Sequence, residues 1–132
     1  MNDRAKKLLF DVVTSGRSIL QWCKDRSFDD YERDRQFRRA VEREFEIIGE
    51  ALGRLAQADP AAAARITDVR RIVGFRNRII HSSDAIDDAA VWGVAESHLP
   101  RLVAEVEALL GSDPAPAAGR DAGAGLGGDE VT

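Results

Sequence analysis

The sequence contains only one cysteine, Cys23, in a chain of 132 residues. A lone cysteine excludes an intramolecular disulfide and a zinc site built on cysteines. Nor does any apolar run approach the roughly 18 residues that a membrane-spanning helix needs. These absences favour the reducing cytosol, and we expect a soluble cytoplasmic protein that does not contact a membrane.

An excess of positive charge is also missing, because 19 Lys and Arg face 23 Asp and Glu, for a net charge of -4. This balance argues against a protein that binds nucleic acid through total charge alone. The distribution is uneven, however: residues 65–81 hold five arginines and one acid, whereas residues 82–132 hold ten acids and two arginines. Positive charge is concentrated in one helix-sized segment.

Strand signals are nearly absent, while apolar residues recur at spacings of three and four in several long stretches. This periodicity predicts an all-α protein, an antiparallel bundle of four to five helices in one domain over residues 1–110. Residues 111–132 are rich in glycine and alanine and have almost no large apolar residue. They predict a disordered tail.

Capping residues and prolines predict the first helix boundaries. The first helix ends near the DRSFDD turn, where Ser27 or Asp29 can cap the next one. A second, longer helix is expected over about residues 30–57, because the residue before Pro60 is pushed out of the helical region.

Similar signals bound the later helices. Thr67 or Asp68 offers a cap for a third long helix that ends around His81. Asp87 caps the last helix, in which Pro100 is expected to cause a kink.

Two charged residues lie where hydrophobic residues are expected. On a helical wheel, Arg76 and Glu44 are each centred on an apolar face whose members lie within about 60°. The faces are Val69, Ile72, Val73, Ile79 and Ile80 around Arg76, and Phe37, Ala40, Val41, Ile47, Ile48, Ala51 and Leu55 around Glu44. A buried charge is costly unless paired, so the two residues either pair with each other or face a water-filled cleft. Glu42, Glu46 and Glu50 lie off the apolar arc and are expected to be solvated.

The segment RNRIIH closes the third helix just before a polar loop. Asn77 and His81 share a helical face, whereas Arg76 and His81 diverge by about 140° on an ideal helix. Either the helix unwinds near Ile80, or two subunits bring such residues together across a two-fold axis. We favour the second. By itself, a single histidine at a helix C-terminus is most often a capping residue.

Three blocks occur in order: VEREFEIIGEALGRL, VRRIVGFRNRIIH and AIDDAAVWGVAESHLP. Together they resemble the HepT-like branch of the HEPN superfamily, well over residues 38–110 and in helical pattern only over residues 1–37. The resemblance implies a dimeric helical bundle and a metal-independent ribonuclease toxin without a cofactor. It assigns the catalytic Arg and His, at the dimer interface, to Arg76 and His81. Asn77 is the polar residue after the motif Arg, and Glu44 is a candidate supporting residue behind it.

The expected chemistry needs no metal, since RNA carries its own nucleophile in the 2′-hydroxyl. His81 could take the 2′ proton, the second subunit's histidine could protonate the leaving 5′ oxygen, and Arg76 could hold the phosphate oxygens. The alternatives are a catalytically weak HEPN module that binds a nucleotidyltransferase, and a plain helical interaction protein whose Arg76 is consumed by Glu44.

The resemblance also implies partners: a second copy of the chain, a nucleotidyltransferase antitoxin, and transfer or messenger RNA. In many HepT-like proteins the antitoxin modifies a tyrosine two residues after the motif histidine with AMP. Here that position is Ser83. Neutralisation by tyrosine AMPylation is therefore not expected, and simple complex formation or transfer to Ser83 are the alternatives.

Overall fold

The structure, a computed structural model, describes residues 1–81 and 87–112, apart from the side chains of residues 80, 81 and 112. These residues form helices and no strand, so the prediction of an all-α fold is confirmed. The helices are α1 (Asp3–Cys23), α2 (Phe28–Arg33), α3 (Arg35–Ala58), α4 (Pro60–Ala63), α5 (Val69–His81), α6 (Asp88–Ser97) and α7 (Leu99–Ser112). Within the described ranges, no helix is both long and apolar enough to cross a membrane. The predicted tail lies outside the described residues from residue 113 onwards.

The expected second helix is in fact two helices, so the prediction of one continuous helix over residues 30–57 is wrong. Ser27 caps α2 in a capping box with Asp30, in which each side chain accepts a hydrogen bond from the other residue's backbone N–H. Asp34 then has an extended backbone, and its carboxylate accepts a hydrogen bond from the Phe37 N–H at 3.0 Å. This local cap competes with a continuous helix and starts α3.

The last predicted helix is also divided, and Pro100 has a larger effect than the expected kink. His98 separates α6 from α7, and Pro100 lies in the first turn of α7. Proline has no N–H to donate and its ring clashes with the carbonyl four residues earlier, whereas the first turn of a helix tolerates it. The prediction that Asp87 caps this region is confirmed, because its carboxylate accepts from the Ala90 N–H at 3.2 Å.

The core lies where α1 packs against α3 and α7, while α5 packs against α3 and α6 against α7. Fully buried apolar residues recur at the predicted helical spacing along α1 and α3. They include Leu9, Val12, Ile19, Val41, Phe45, Ile48, Leu52 and Leu55. Each such side chain contributes about 1.5–3 kcal/mol relative to exposure. Since α3 contacts both α1 and α5, it is the central helix that positions the residues of α5.

The start of α5 is fastened to α7 by the two residues predicted as its caps. Arg101 donates a hydrogen bond to the Asp68 carboxylate at 2.6 Å, and His98 and Arg71 lie 3.6 and 3.7 Å from that carboxylate. Thr67 donates to an α7 carboxylate through both its N–H and its hydroxyl. Burial opposes ionisation of Asp68, but the hydrogen bond and charge of Arg101, aided by His98 and Arg71, outweigh it and lower the pKa.

Candidate active site

Arg76 lies at the contact between α5 and α3. Ile72, Phe75 and Ile79 bury one side of α5, and Phe75 packs edge-on against Phe45 of α3, with ring centroids 5.2 Å apart. Arg76 comes next to Phe75 in the chain and is half-buried at the edge of this face. The contact between α5 and α3 therefore fixes the position of the Arg76 backbone.

The aliphatic part of Arg76 lies directly against the backbone of Gly49 on α3. A Cβ atom added to Gly49 would stand 2.2 Å from Cβ of Arg76, 2.6 Å from Cγ and 3.3 Å from Cδ. No side chain fits between the two residues, so the α3 backbone supports the arginine along its length. The guanidinium is therefore carried by a stem that packs against α3.

The guanidinium group is only partly satisfied by the described residues. Its Nη1 donates a hydrogen bond to Oδ1 of the exposed Asn77 at 3.0 Å. Its Nε is buried and has no hydrogen-bond partner in the part of the chain that the structure describes. A buried N–H without an acceptor costs on the order of 1–3 kcal/mol. Arg76 is thus prepared for an acceptor from outside these residues, and the arginine fork fits a phosphate or carboxylate.

Glu44 does not neutralise Arg76. No ion pair joins the two side chains, both of which are described and half-buried. The reason is geometric: Glu44 and Gly49 are five residues apart and diverge by about 140° around α3. The interpretation that the two charges pair within one chain is therefore wrong. A supporting role for Glu44 stays a prediction, and it cannot rest on a contact with Arg76 of the same chain.

A different carboxylate of α3 is buried, and the expectation that it is solvated is wrong. Glu42 is 5% exposed, and Nη1 of Arg39 donates to its two oxygens at 3.1 and 3.3 Å. Burial raises the pKa of Glu42 against the lowering effect of Arg39. Glu42 lies seven residues before Gly49 and so on the same side of α3, within about 20°. Packing against two helices widens the buried face of α3 beyond the single stripe that the sequence predicts.

The other predicted site residues are only partly described. Helix α5 remains helical through His81, so the alternative in which it unwinds near Ile80 is not found. The His81 side chain and Ser83 lie outside the described residues. That Arg76 and His81 act together therefore stays a prediction, and the unbroken helix leaves about 140° between them within one chain.

Three further arginines lie on the exposed side of α5, about 120–160° around the helix from Arg76. Arg70, Arg71 and Arg78 are exposed, and the Arg78 guanidinium lies over the Phe75 ring at 5.8 Å from its centroid. The predicted concentration of positive charge is thus at the exposed surface of α5, on a different side of the helix from Arg76. Over residues 1–81 and 87–112, no group of three or more His, Cys, Asp or Glu side chains is arranged to hold a metal ion. Metal-independent cleavage stays a prediction for experiment.

Known proteins are similar in sequence to most of this chain. The sequence matches the family described as ribonuclease HepT-like over residues 14–109. A protein of Methanocaldococcus jannaschii named as a candidate RNase is 30% identical over 102 residues, which cover 77% of this chain and 93% of that protein. No solved structure matches the chain significantly.

Two further relatives carry the same kind of name. A second candidate RNase of Methanocaldococcus jannaschii is 25% identical over 80% of this chain and 90% of its own length. A candidate RNase of Caldanaerobacter subterraneus is 27% identical over 70% of this chain and 81% of its own length. The family match spans both α3 and α5, which meet at Arg76. The chain belongs to the ribonuclease HepT-like family.

Proposed function

We propose that the protein is a metal-independent endoribonuclease toxin of a toxin–antitoxin pair, and that two copies of the chain share its RNA-cleaving site. One observation carries this proposal. The stem of Arg76 packs against Gly49, its Nε is buried without an acceptor among the described residues, and Glu44 of the same chain does not pair with it. An arginine without a carboxylate partner in the part of the chain that the structure describes fits the developing charge of a phosphate under attack. The family and the RNase names of the relatives support RNA as the substrate.

The reaction needs only protons and charge stabilisation. His81 removes the proton of the 2′-hydroxyl, and the resulting oxygen forms a bond to the neighbouring phosphorus. The bond from phosphorus to the 5′ oxygen breaks, and that oxygen takes a proton from the partner's His81. Arg76 holds the non-bridging oxygens as negative charge builds. The products are a 2′,3′-cyclic phosphate and a 5′-hydroxyl.

A second copy of the chain is proposed to complete the site, and the surface of α5 supports this. Val69 and Val73 lie within about 60° of Arg76 around the helix and are only partly buried. These partly uncovered apolar residues beside Arg76 allow contact with another helix. A partner across a two-fold axis would place a second motif opposite Arg76.

The direct test is RNA cleavage by the purified protein. Because general acid–base catalysis contributes about a hundredfold or more, His81→Ala should lower the cleavage rate by at least that factor. The chain's other histidine supplies the control: His98→Ala should keep the rate. EDTA should leave the wild-type rate unchanged, and the RNA ends should be a cyclic phosphate and a 5′-hydroxyl. Full activity in His81→Ala, or loss of activity with EDTA, would refute the mechanism.

Neutralisation is proposed to depend on a nucleotidyltransferase antitoxin. Ser83 occupies the position of the tyrosine that many HepT-like proteins carry, so the antitoxin acts either by forming a complex or by transferring AMP to Ser83. Intact-mass spectrometry after co-expression separates these routes, because only transfer adds the mass of AMP. A wild-type chain that binds the nucleotidyltransferase but cleaves no RNA would instead support the alternative, a catalytically weak binding module.

A further inference from the structure

We infer that Gly49 is a positioning residue for Arg76, a role that goes beyond the motif itself. The expected effect on catalysis rests on the proposed function, whereas the contact between Gly49 and Arg76 does not. Position 49 has no room for a side chain, since a Cβ added to Gly49 would lie 2.2 Å from Cβ of Arg76. Real Cβ atoms essentially never approach to less than 3.0 Å.

The tight contact cannot be relieved by a side-chain rotation. Cβ of Arg76 is bonded directly to the α5 backbone, so a methyl group on Gly49 must displace α5 from α3 or bend the arginine stem. The added methyl would also meet Cγ at 2.6 Å and Cδ at 3.3 Å. The whole stem, and with it the guanidinium, would move.

Other glycines show that this is not a general property of the bundle. In the described ranges, Gly53, one turn along α3, has nothing within 4 Å of an added Cβ. Gly16 of α1 is also closely packed, with Cγ2 of Val103 at 2.6 Å, but its neighbours belong to α7 and not to the candidate site. Glycine costs stability inside a helix relative to alanine. At position 49 the close approach of Arg76 explains why it is nevertheless present.

Precise placement of Arg76 is expected to matter for rate more than for RNA binding. A displacement of about 1 Å in a catalytic group can cost about a hundredfold. An interaction that forms mainly in the transition state affects kcat while leaving KM nearly constant. Gly49→Ala should therefore lower kcat by about 10- to 100-fold and change KM by less than about twofold.

The matched controls are Gly16→Ala and Gly53→Ala. Gly16→Ala also introduces a contact below 3.0 Å, but away from the site, so it should lower the melting temperature but keep kcat. Gly53→Ala should keep both. If Gly49 acts only through Arg76, Gly49→Ala should have no further effect on kcat in an Arg76→Ala background. A purely structural role would make the loss of kcat follow the loss of stability in all the glycine variants.

A second measurement is independent of RNA cleavage. The Nε–H of Arg76 is buried, so its ¹⁵N NMR signal, assigned through Arg76→Lys, should show slow hydrogen exchange and a rigid side chain in the wild type. The exposed Arg43 is the internal reference. Gly49→Ala should remove the protection of Arg76. If Gly49→Ala fails to fold, the hydrogen exchange and mobility of Arg76 in the wild type still test the positioning role.

The outcomes separate this inference from the proposed function. Loss of kcat and of Nε–H protection in Gly49→Ala, with both controls active, supports the positioning role. Full kcat in Gly49→Ala, equal loss in Gly16→Ala, or a wild-type Arg76 as mobile as Arg43 would overturn it, even if the protein is an RNase. A wild-type protein that cleaves no RNA refutes the proposed function, and the NMR comparison still decides the role of Gly49.

Discussion

Residues 65–81, which hold five arginines, differ between their two ends in how many partners the charged side chains have. At the start of α5, the 6%-exposed Asp68 receives a hydrogen bond from Arg101 and lies near Arg71 and His98. One carboxylate therefore lies near three basic side chains and accepts a hydrogen bond from Arg101, while Nδ1 of His98 is buried without a hydrogen-bond partner in the described residues. Further along the same helix, Arg76 has a hydrogen bond to Asn77 but a buried Nε without a partner in the described residues.

This difference distinguishes arginines that hold the fold together from an arginine left available for a ligand. Natural proteins satisfy nearly all buried polar groups, and the exceptions often mark functional positions. Arg101 contributes to the attachment of α5 to α7, and its neutralised charge is not available for RNA. Arg76 packs its stem against Gly49 and, among the described residues, leaves its buried Nε without an acceptor. We therefore expect replacement of Arg76 to lower activity and replacement of Arg101 to lower stability.

The largest expected effect comes from Arg76→Ala. Removing a group that stabilises transition-state charge should lower the RNA cleavage rate by about 100- to 1000-fold. Folding stability should change by less than about 1 kcal/mol, because Arg76 has no charged partner among the described residues. Arg101→Ala is the matched control and should show the reverse, a lower melting temperature with the cleavage rate retained. Single-turnover cleavage and thermal unfolding measure the two effects, and equal loss of activity in both variants would end the distinction.

A smaller effect on stability is expected from Asp68→Asn. Loss of the carboxylate should cost about 1 kcal/mol at neutral pH, since its hydrogen bond is charge-assisted but its partners are solvent-exposed. The folded-state pKa of Asp68 is lowered, so this contribution is present above the ordinary pKa of about 3.9. It is lost as pH falls through the lower folded value. In urea unfolding from pH 7 to pH 3, the difference in free energy of unfolding between wild type and variant should become smaller. A difference that grows as the pH falls would contradict the stabilising role of the Asp68 carboxylate.

The smallest effect, with the opposite pH dependence, is expected from Glu42→Gln. Burial raises the folded-state pKa of Glu42, so its contribution is full below the ordinary pKa of about 4.3 and is lost as pH rises through the folded value. The variant should match the wild type in acid and be equal or up to about 1 kcal/mol more stable at neutral pH. A clearly less stable variant at pH 7 would show that the ion pair with Arg39 outweighs burial.

Sequence patterns predicted the class of fold and the helix that carries the site, but not the partners of its charges. The apolar spacing around Arg76 predicts a charge at the centre of an apolar face, whereas the structure places it half-buried at the edge of the buried face. It could not show that Gly49 supports the arginine, because contacts between helices depend on their register. For the same reason Glu44 was placed at the centre of the buried face of α3 while Glu42, which is buried, was expected in solvent. The helix breaks at Asp34 and His98 were missed because a local cap and a downstream proline competed with strong periodicity.

The central claim, that one RNA linkage is held between two copies of the chain, can be tested by subunit mixing. An excess of Arg76→Ala/His81→Ala subunits is exchanged into wild-type protein, native mass spectrometry verifies the mixed species, and the cleavage rate per wild-type subunit is measured. The shared site predicts that this rate falls steeply as wild-type dimers are replaced by mixed dimers. A rate per wild-type subunit that stays constant at every mixing ratio, as independent sites or a monomer would give, would contradict the account.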